Sequence, residues 1–134
     1  MNGKILVIGS DSYENGLLKK IFSEKFVLHF CRYAEESMDV CKSFRPDTIL
    51  YDMVIPDLEL LKNVMSCRNP FNYEIPVVVI VSDNSLQFER LARQHKVSYY
   101  MIRPYDFREL EEALESCVKY SKKKSESIIC GCEQ

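Results

Sequence analysis

The stretch DTILYDMVIP, residues 47–56, decides how this chain is read. Thr48, Ile49, Leu50 and Tyr51 form a short apolar, β-prone run of the kind that is buried in a sheet. The run ends on a carboxylate, Asp52, and Pro56 follows four places later. An acid at the end of a buried strand is unfavourable unless something pairs it or uses it. Where that end lies in the fold therefore matters more than any composition figure.

Working outward, strand-like runs alternate with helical ones. KILVI (residues 4–8) and VLHFCR (27–32) flank a helical segment with apolar residues at Leu17, Leu18, Ile21 and Phe22. Asp11 and Glu14 sit there in capping-box spacing. Residues 34–44 form a second helical segment with Met38, Val40 and Cys41 inward, closed by Pro46. LELLKNVMSC (58–67) is the third, followed by the turn-rich residues 68–74. IPVVVIV (75–81) is the most β-prone run, and SLQFERLARQH (85–95) is helical, with Leu86, Phe88, Leu91 and Ala92 available to pack. VSYYMI (97–102) is the fifth strand. The last helix covers residues 106–124, with acids early and lysines late, as the helix dipole favours.

Such alternation implies an α/β fold, a doubly wound five-stranded parallel sheet with helices on both faces. The first, third and fourth strands are almost wholly apolar, as central parallel strands must be. The second and fifth carry polar residues and suit the edges, which selects the order 2-1-3-4-5. Ligands of such sheets bind outside the carboxyl ends of the strands, where the strand order reverses. Asp52 is expected at that crevice.

The 134 residues suit one domain, expected at residues 1–122, with a flexible tail over 123–134. Hydrophobic residues are 46% and charged residues 28%, a globular balance, and the net charge of −2 gives no case for nucleic-acid or membrane attraction. No apolar run approaches the ~20 residues of a membrane span. The opening MNGKILVIG lacks the length and flanks of a secretory signal, so a cytoplasmic chain is expected. Cys31, Cys41, Cys67 and Cys117 sit inside periodic segments and read as small core residues. Cys130 and Cys132 are too few for a structural zinc site. They read as free exposed thiols, or as a redox or partner-metal pair. His29 and His95 have no evident nucleophile partner and read as structural or solvated.

Two motifs carry a family resemblance. PDTILYDMVIP (46–56) resembles the third-strand signature of response-regulator receiver domains, with their flavodoxin-like, chemotaxis-regulator-like fold. YMIRPYDFREL (100–110) is similar to that family's fifth strand and its basic-residue–proline turn. The likeness covers roughly residues 3–120, and the chain reads as a stand-alone, atypical member. The resemblance implies phosphoryl transfer from a phosphohistidine to Asp52, assisted by Mg²⁺ that offsets the repulsion between anions. The family's two acids at the end of strand one read Gly9 and Ser10 here. A weak or absent Mg²⁺ site is therefore expected, held by Asp52 and the backbone near Val54, with Asp11 as either a weak metal ligand or a helix cap.

Arg103 stands where the family has Lys. It is expected either to pair with Asp52 and keep it ionised or to point to solvent. By analogy Pro104 follows a cis bond. Ser82 is the candidate phosphate-contacting hydroxyl, but the strand is one residue longer than usual. Val81 is the alternative occupant, and Ser82 then becomes a cap or loop hydroxyl. Tyr100 matches the switch aromatic, with a static edge-strand role as the alternative, and Tyr99 should face the other way. The loop after Pro56 is short, so the third helix is expected to begin at Asp57.

The resemblance implies two-component signalling through protein contacts rather than an enzyme. The implied partners are a histidine kinase or phosphotransfer protein, a downstream output protein, and a second copy bound through helix four, strand five and helix five. Two alternatives stand beside it. One is a phosphorylation-independent pseudo-receiver. The other is a flavodoxin-like binder whose GSDS turn (residues 9–12) cradles a nucleotide or flavin phosphate.

Overall fold

A computed structural model of the chain describes residues 2–9, 12–53, 56–67 and 74–132. The elements run β1 (Gly3–Ile8), α1 (Ser12–Phe22), β2 (Phe26–Cys31), a 3₁₀ turn (Ala34–Glu36), α2 (Ser37–Phe44), β3 (Thr48–Met53), α3 (Leu58–Cys67), β4 (Val77–Val81), α4 (Leu86–Gln94), β5 (Tyr99–Ile102) and α5 (Phe107–Cys132). All neighbouring strands pair parallel, in the order β2-β1-β3-β4-β5. The expected order and the expected edges are those observed. Every residue of β3 and β4 is buried, whereas β2 and β5 alternate or face solvent.

The period-two alternation of the strands divides the core into two layers. Leu6, Ile8, Ile49, Tyr51, Met53, Val77, Val79 and Val81 face α2, α3 and α4 through Cys41, Leu61, Val64, Phe88 and Ala92. Ile5, Val7, Leu50, Val78 and Ile80 face α1 and α5 through Leu18, Phe22, Leu110, Leu114 and Val118. Each fully buried aliphatic side chain contributes roughly 1.5–3 kcal/mol. The sheet therefore sets the positions of its strand ends firmly.

Several expectations are corrected. β3 runs on to Met53, two residues past the expected apolar run, with Asp52 at its carboxyl end as expected. Met38 is 43% exposed, and Ser37 takes the buried position with Cys41. The 3₁₀ turn before α2 advances the chain by three residues per turn, which shifts the phase of the helix that follows. Ile21 and Leu86 are also exposed, at 42% and 62%. α1 stops at Phe22 and β2 starts one residue early, on the buried Phe26.

Helix ends follow local chemistry. Arg45 closes α2 in the left-handed conformation, its N–H donating to the Cys41 carbonyl, just before Pro46. Asp57 lies just before α3 and accepts a hydrogen bond from the Leu60 N–H at 3.2 Å. Ser85 caps α4 through the Phe88 N–H. α5 is helical to Cys132, beyond the residues 106–124 expected for the last helix. The side chains of Cys67, Cys130 and Cys132 lie outside the described residues, as do residues 68–73. Cys31, Cys41 and Cys117 are buried and stand outside any disulfide among the described residues. The Cys117 thiol is pushed up to about 11, chiefly by burial. His29 packs its ring against Phe44 on the edge strand, and His95 ends α4.

Candidate functional site

Residues at the carboxyl ends of β3, β4 and β5 are joined to Glu14 of α1 through Arg103. The alternation along β3 sends Tyr51 and Met53 to the layer of α2, α3 and α4, and Leu50 and Asp52 to the other side. Asp52 therefore faces the same layer as α1 and α5. Its side chain is only 5% exposed.

Arg103, directly after β5, turns back across this end of the sheet. Its Nη1 donates to Asp52 Oδ1 at 2.7 Å and its Nη2 to Oδ2 at 2.5 Å, a two-point grip. The same Nη2 donates to both oxygens of Glu14, at 2.7 Å each. Nη1 also reaches Ser82 Oγ at 3.2 Å. The phenol of Tyr105 donates to Glu14 Oε1 at 2.9 Å, and its ring lies 5.7 Å from the Arg103 guanidinium. The Arg103–Pro104 bond is cis.

Two carboxylates thus share one guanidinium and leave a net negative charge. Their titrations diverge. Burial raises the Asp52 carboxyl; the bonds and charge of Arg103 pull it down, and the Glu14 charge pushes it back up, leaving it above its ordinary value of 3.8. Burial also acts on Glu14, but Arg103 and the Tyr105 phenol outweigh it and hold Glu14 below its ordinary 4.5. Arg103 acts on Asp52 in the expected direction, favouring the ionised form, while burial and the Glu14 charge act the other way and set the net direction. Burial alone would lower the Arg103 pKa, but the two carboxylates raise it and keep it charged.

The expected pairing of Arg103 with Asp52 is the one observed. Ser82 follows β4 as a loop hydroxyl facing Arg103, while the cap of α4 is Ser85, and Val81 is buried in β4. The Tyr100 phenol donates to Asn84 Oδ1 at 3.1 Å and its ring packs against Phe88. Tyr99 is 40% exposed on the alternate face of β5. Asp11, Ser10, the side chain of Ser12 and Val54 lie outside the described residues, and with them the metal role of Asp11 and the phosphate cradle.

Glu14 is the member that sequence reasoning assigned elsewhere, to a helix cap. An acid one turn into α1, opposite an arginine in a site short of acids, was the available signal.

A cation approaching Asp52 would compete with Arg103 for the same carboxylate oxygens. Both oxygens of Asp52 and both of Glu14 are taken by Arg103. Among the described residues no group of three or more His, Cys, Asp or Glu side chains converges to hold a metal. Gly9 has φ +87°, and a Cβ built on it would lie 2.6 Å from the Asp52 carbonyl oxygen. The backbone itself closes the place where the family carries its first acid.

No family model matches the chain. It is 24% identical over 123 residues to the "Probable C4-dicarboxylate response regulator DctR" of Bacillus subtilis (strain 168), covering 90% of this chain and 54% of that protein. It therefore spans about half the length of that relative. It is 23% identical to "Sporulation initiation phosphotransferase F" of the same organism, over 86% of this chain and 93% of that one. The solved CheY-like response regulator receiver domain of Methanospirillum hungatei JF-1 superposes with a TM-score of 0.77 at 19% identity, over 92% of this chain and 99% of the other. The flavodoxin-like architecture is the fold of solved receiver domains, and the curated relatives to which the chain is similar are response regulators and a phosphotransferase of two-component type.

Proposed function

We propose that this chain is a receiver domain of two-component signal transduction that uses Asp52 as its phosphoacceptor, with a metal site weakened because the Arg103 guanidinium takes the cation's place, and that it signals through protein contacts. The observation that carries this reading is the two-point grip of Arg103 on Asp52. A guanidinium offsets the repulsion between a carboxylate and an incoming phosphoryl group, as a divalent ion does elsewhere, and Ser82 beside it offers a hydroxyl to the same oxygens. Its donor partner in this reading is a histidine kinase or phosphotransfer protein. Its recipients are an output protein or a second copy, met at the face of α4, β5 and α5, where Leu86, Tyr99 and Ile102 are exposed. It works in the cytoplasm as a signalling module rather than as an enzyme. Among the described residues no helix is long and apolar enough to cross a membrane.

Incubation with acetyl phosphate, or with beryllofluoride and Mg²⁺, tests this by mass spectrometry. The expected result is an adduct on Asp52, absent from Asp52→Asn, that forms slowly and with weak dependence on Mg²⁺. The occupation of both Asp52 oxygens also favours a second reading, a pseudo-receiver that works without phosphorylation. No adduct at any Mg²⁺ concentration would establish it.

A further inference from the structure

Glu14 occupies no position that the family resemblance assigns, yet it is bound as tightly as Asp52. Arg103 Nη2 serves both acids at once, Asp52 Oδ2 on one side and the two Glu14 oxygens on the other. A terminal guanidinium nitrogen carries two hydrogens, and three carboxylate oxygens share them here, so a stronger claim by one acid weakens the hold on the other. We propose that Glu14 is a positioning residue that competes with Asp52 for Arg103 and thereby couples the state of Asp52 to helix α1. This rests on Asp52 being the phosphoacceptor.

The sequence of events balances simply. With acetyl phosphate as donor, an Asp52 oxygen forms a bond to phosphorus. The bond from phosphorus to the acetyl oxygen breaks, and acetate leaves with the electron pair. The product carries a dianionic group with three acceptor oxygens, a stronger claim on a guanidinium than one carboxylate. Arg103 turns to it and Nη2 leaves Glu14. Glu14 keeps the Tyr105 phenol but now faces added negative charge without its counter-ion. α1 stays anchored by Leu18 and Phe22, and its N-terminal half loosens from the loop after β5. Among the described residues, the charged and titratable groups around this junction include Glu14 from α1, Asp52 from β3, and Arg103 and Tyr105 from the loop after β5, with the Ser82 hydroxyl beside them.

Hydrogen exchange of the α1 amides over residues 17–21, with beryllofluoride plus excess Mg²⁺ as probe, tests the coupling. In the parent protein the bound probe raises exchange roughly tenfold, the effect of losing one charge-assisted hydrogen bond. In Glu14→Gln, exchange is already raised and the probe adds nothing. Tyr105→Phe removes only the phenol and keeps the response, which separates the coupling from a general loosening of the loop. Bound probe with unchanged α1 exchange, or a full response in Glu14→Gln, overturns the proposal. If the parent binds no probe, the phosphoacceptor reading fails by itself, and Asp52→Asn then decides the coupling. Its neutral amide leaves Arg103 to Glu14, so α1 exchange must slow; unchanged exchange overturns the inference.

Discussion

At the scale of residues, the two acids on Arg103 should oppose each other as pH changes. Asp52 has a folded pKa above its ordinary 3.8, so its stability contribution is full below that value and is lost as pH rises through the folded pKa. Glu14 has a folded pKa below its ordinary 4.5, so its contribution is present above 4.5 and is lost as pH falls through the folded pKa. Urea denaturation from about pH 3 to about pH 7 should therefore show Asp52→Asn gaining on the parent as pH rises. Glu14→Gln should lose ground over the same interval. Each change is on the order of 1 kcal/mol, the scale of one charge-assisted bond. Parallel slopes for the two variants would contradict the shared guanidinium. Gly9 supplies a second prediction. Gly9→Asp restores a family acid on paper, but its Cβ meets the Asp52 carbonyl at a positive φ. It should destabilise the chain by roughly 1–3 kcal/mol and leave Mg²⁺ affinity unimproved by calorimetric titration.

At the scale of elements, α1 carries the less regular design. Among the described residues its buried side chains are Leu18 and Phe22, and Gly16 sits mid-helix with nothing within 4 Å of where a Cβ would be. Gly16→Ala should raise stability by roughly 0.5–1 kcal/mol in thermal or urea unfolding, because the free chain loses entropy and no contact is disturbed. A destabilised Gly16→Ala would mean that this face of α1 is occupied in solution. α2 teaches a different lesson. Its apolar spacing placed Met38 inward, and the 3₁₀ turn ahead of it rotated Ser37 into that place. β5 and α4 leave Tyr99, Ile102 and Leu86 exposed on an edge of the sheet.

At the scale of the whole molecule, that exposed edge sets an expectation for assembly. A second copy docked there would bury Ile102, and Ile102→Asp should abolish any concentration-dependent dimer in analytical ultracentrifugation while leaving the far-ultraviolet circular dichroism unchanged. A dimer that survives the substitution would place the contact elsewhere. The strand and helix alternation, the strand order and the edges were legible in the 134 residues. They follow from repeats of two and 3.6 residues, which are local, and from a rule that sends strand ends of a parallel sheet to one crevice. The meeting of Asp52 with Arg103 was offered by the family resemblance as one of two alternatives, and packing chose between them. Glu14 was not legible, because it lies 89 positions from Arg103 and their meeting depends on how α1 sits on the sheet. Nor was the direction of the Asp52 pKa, since burial and a neighbouring charge exist only once the elements are packed.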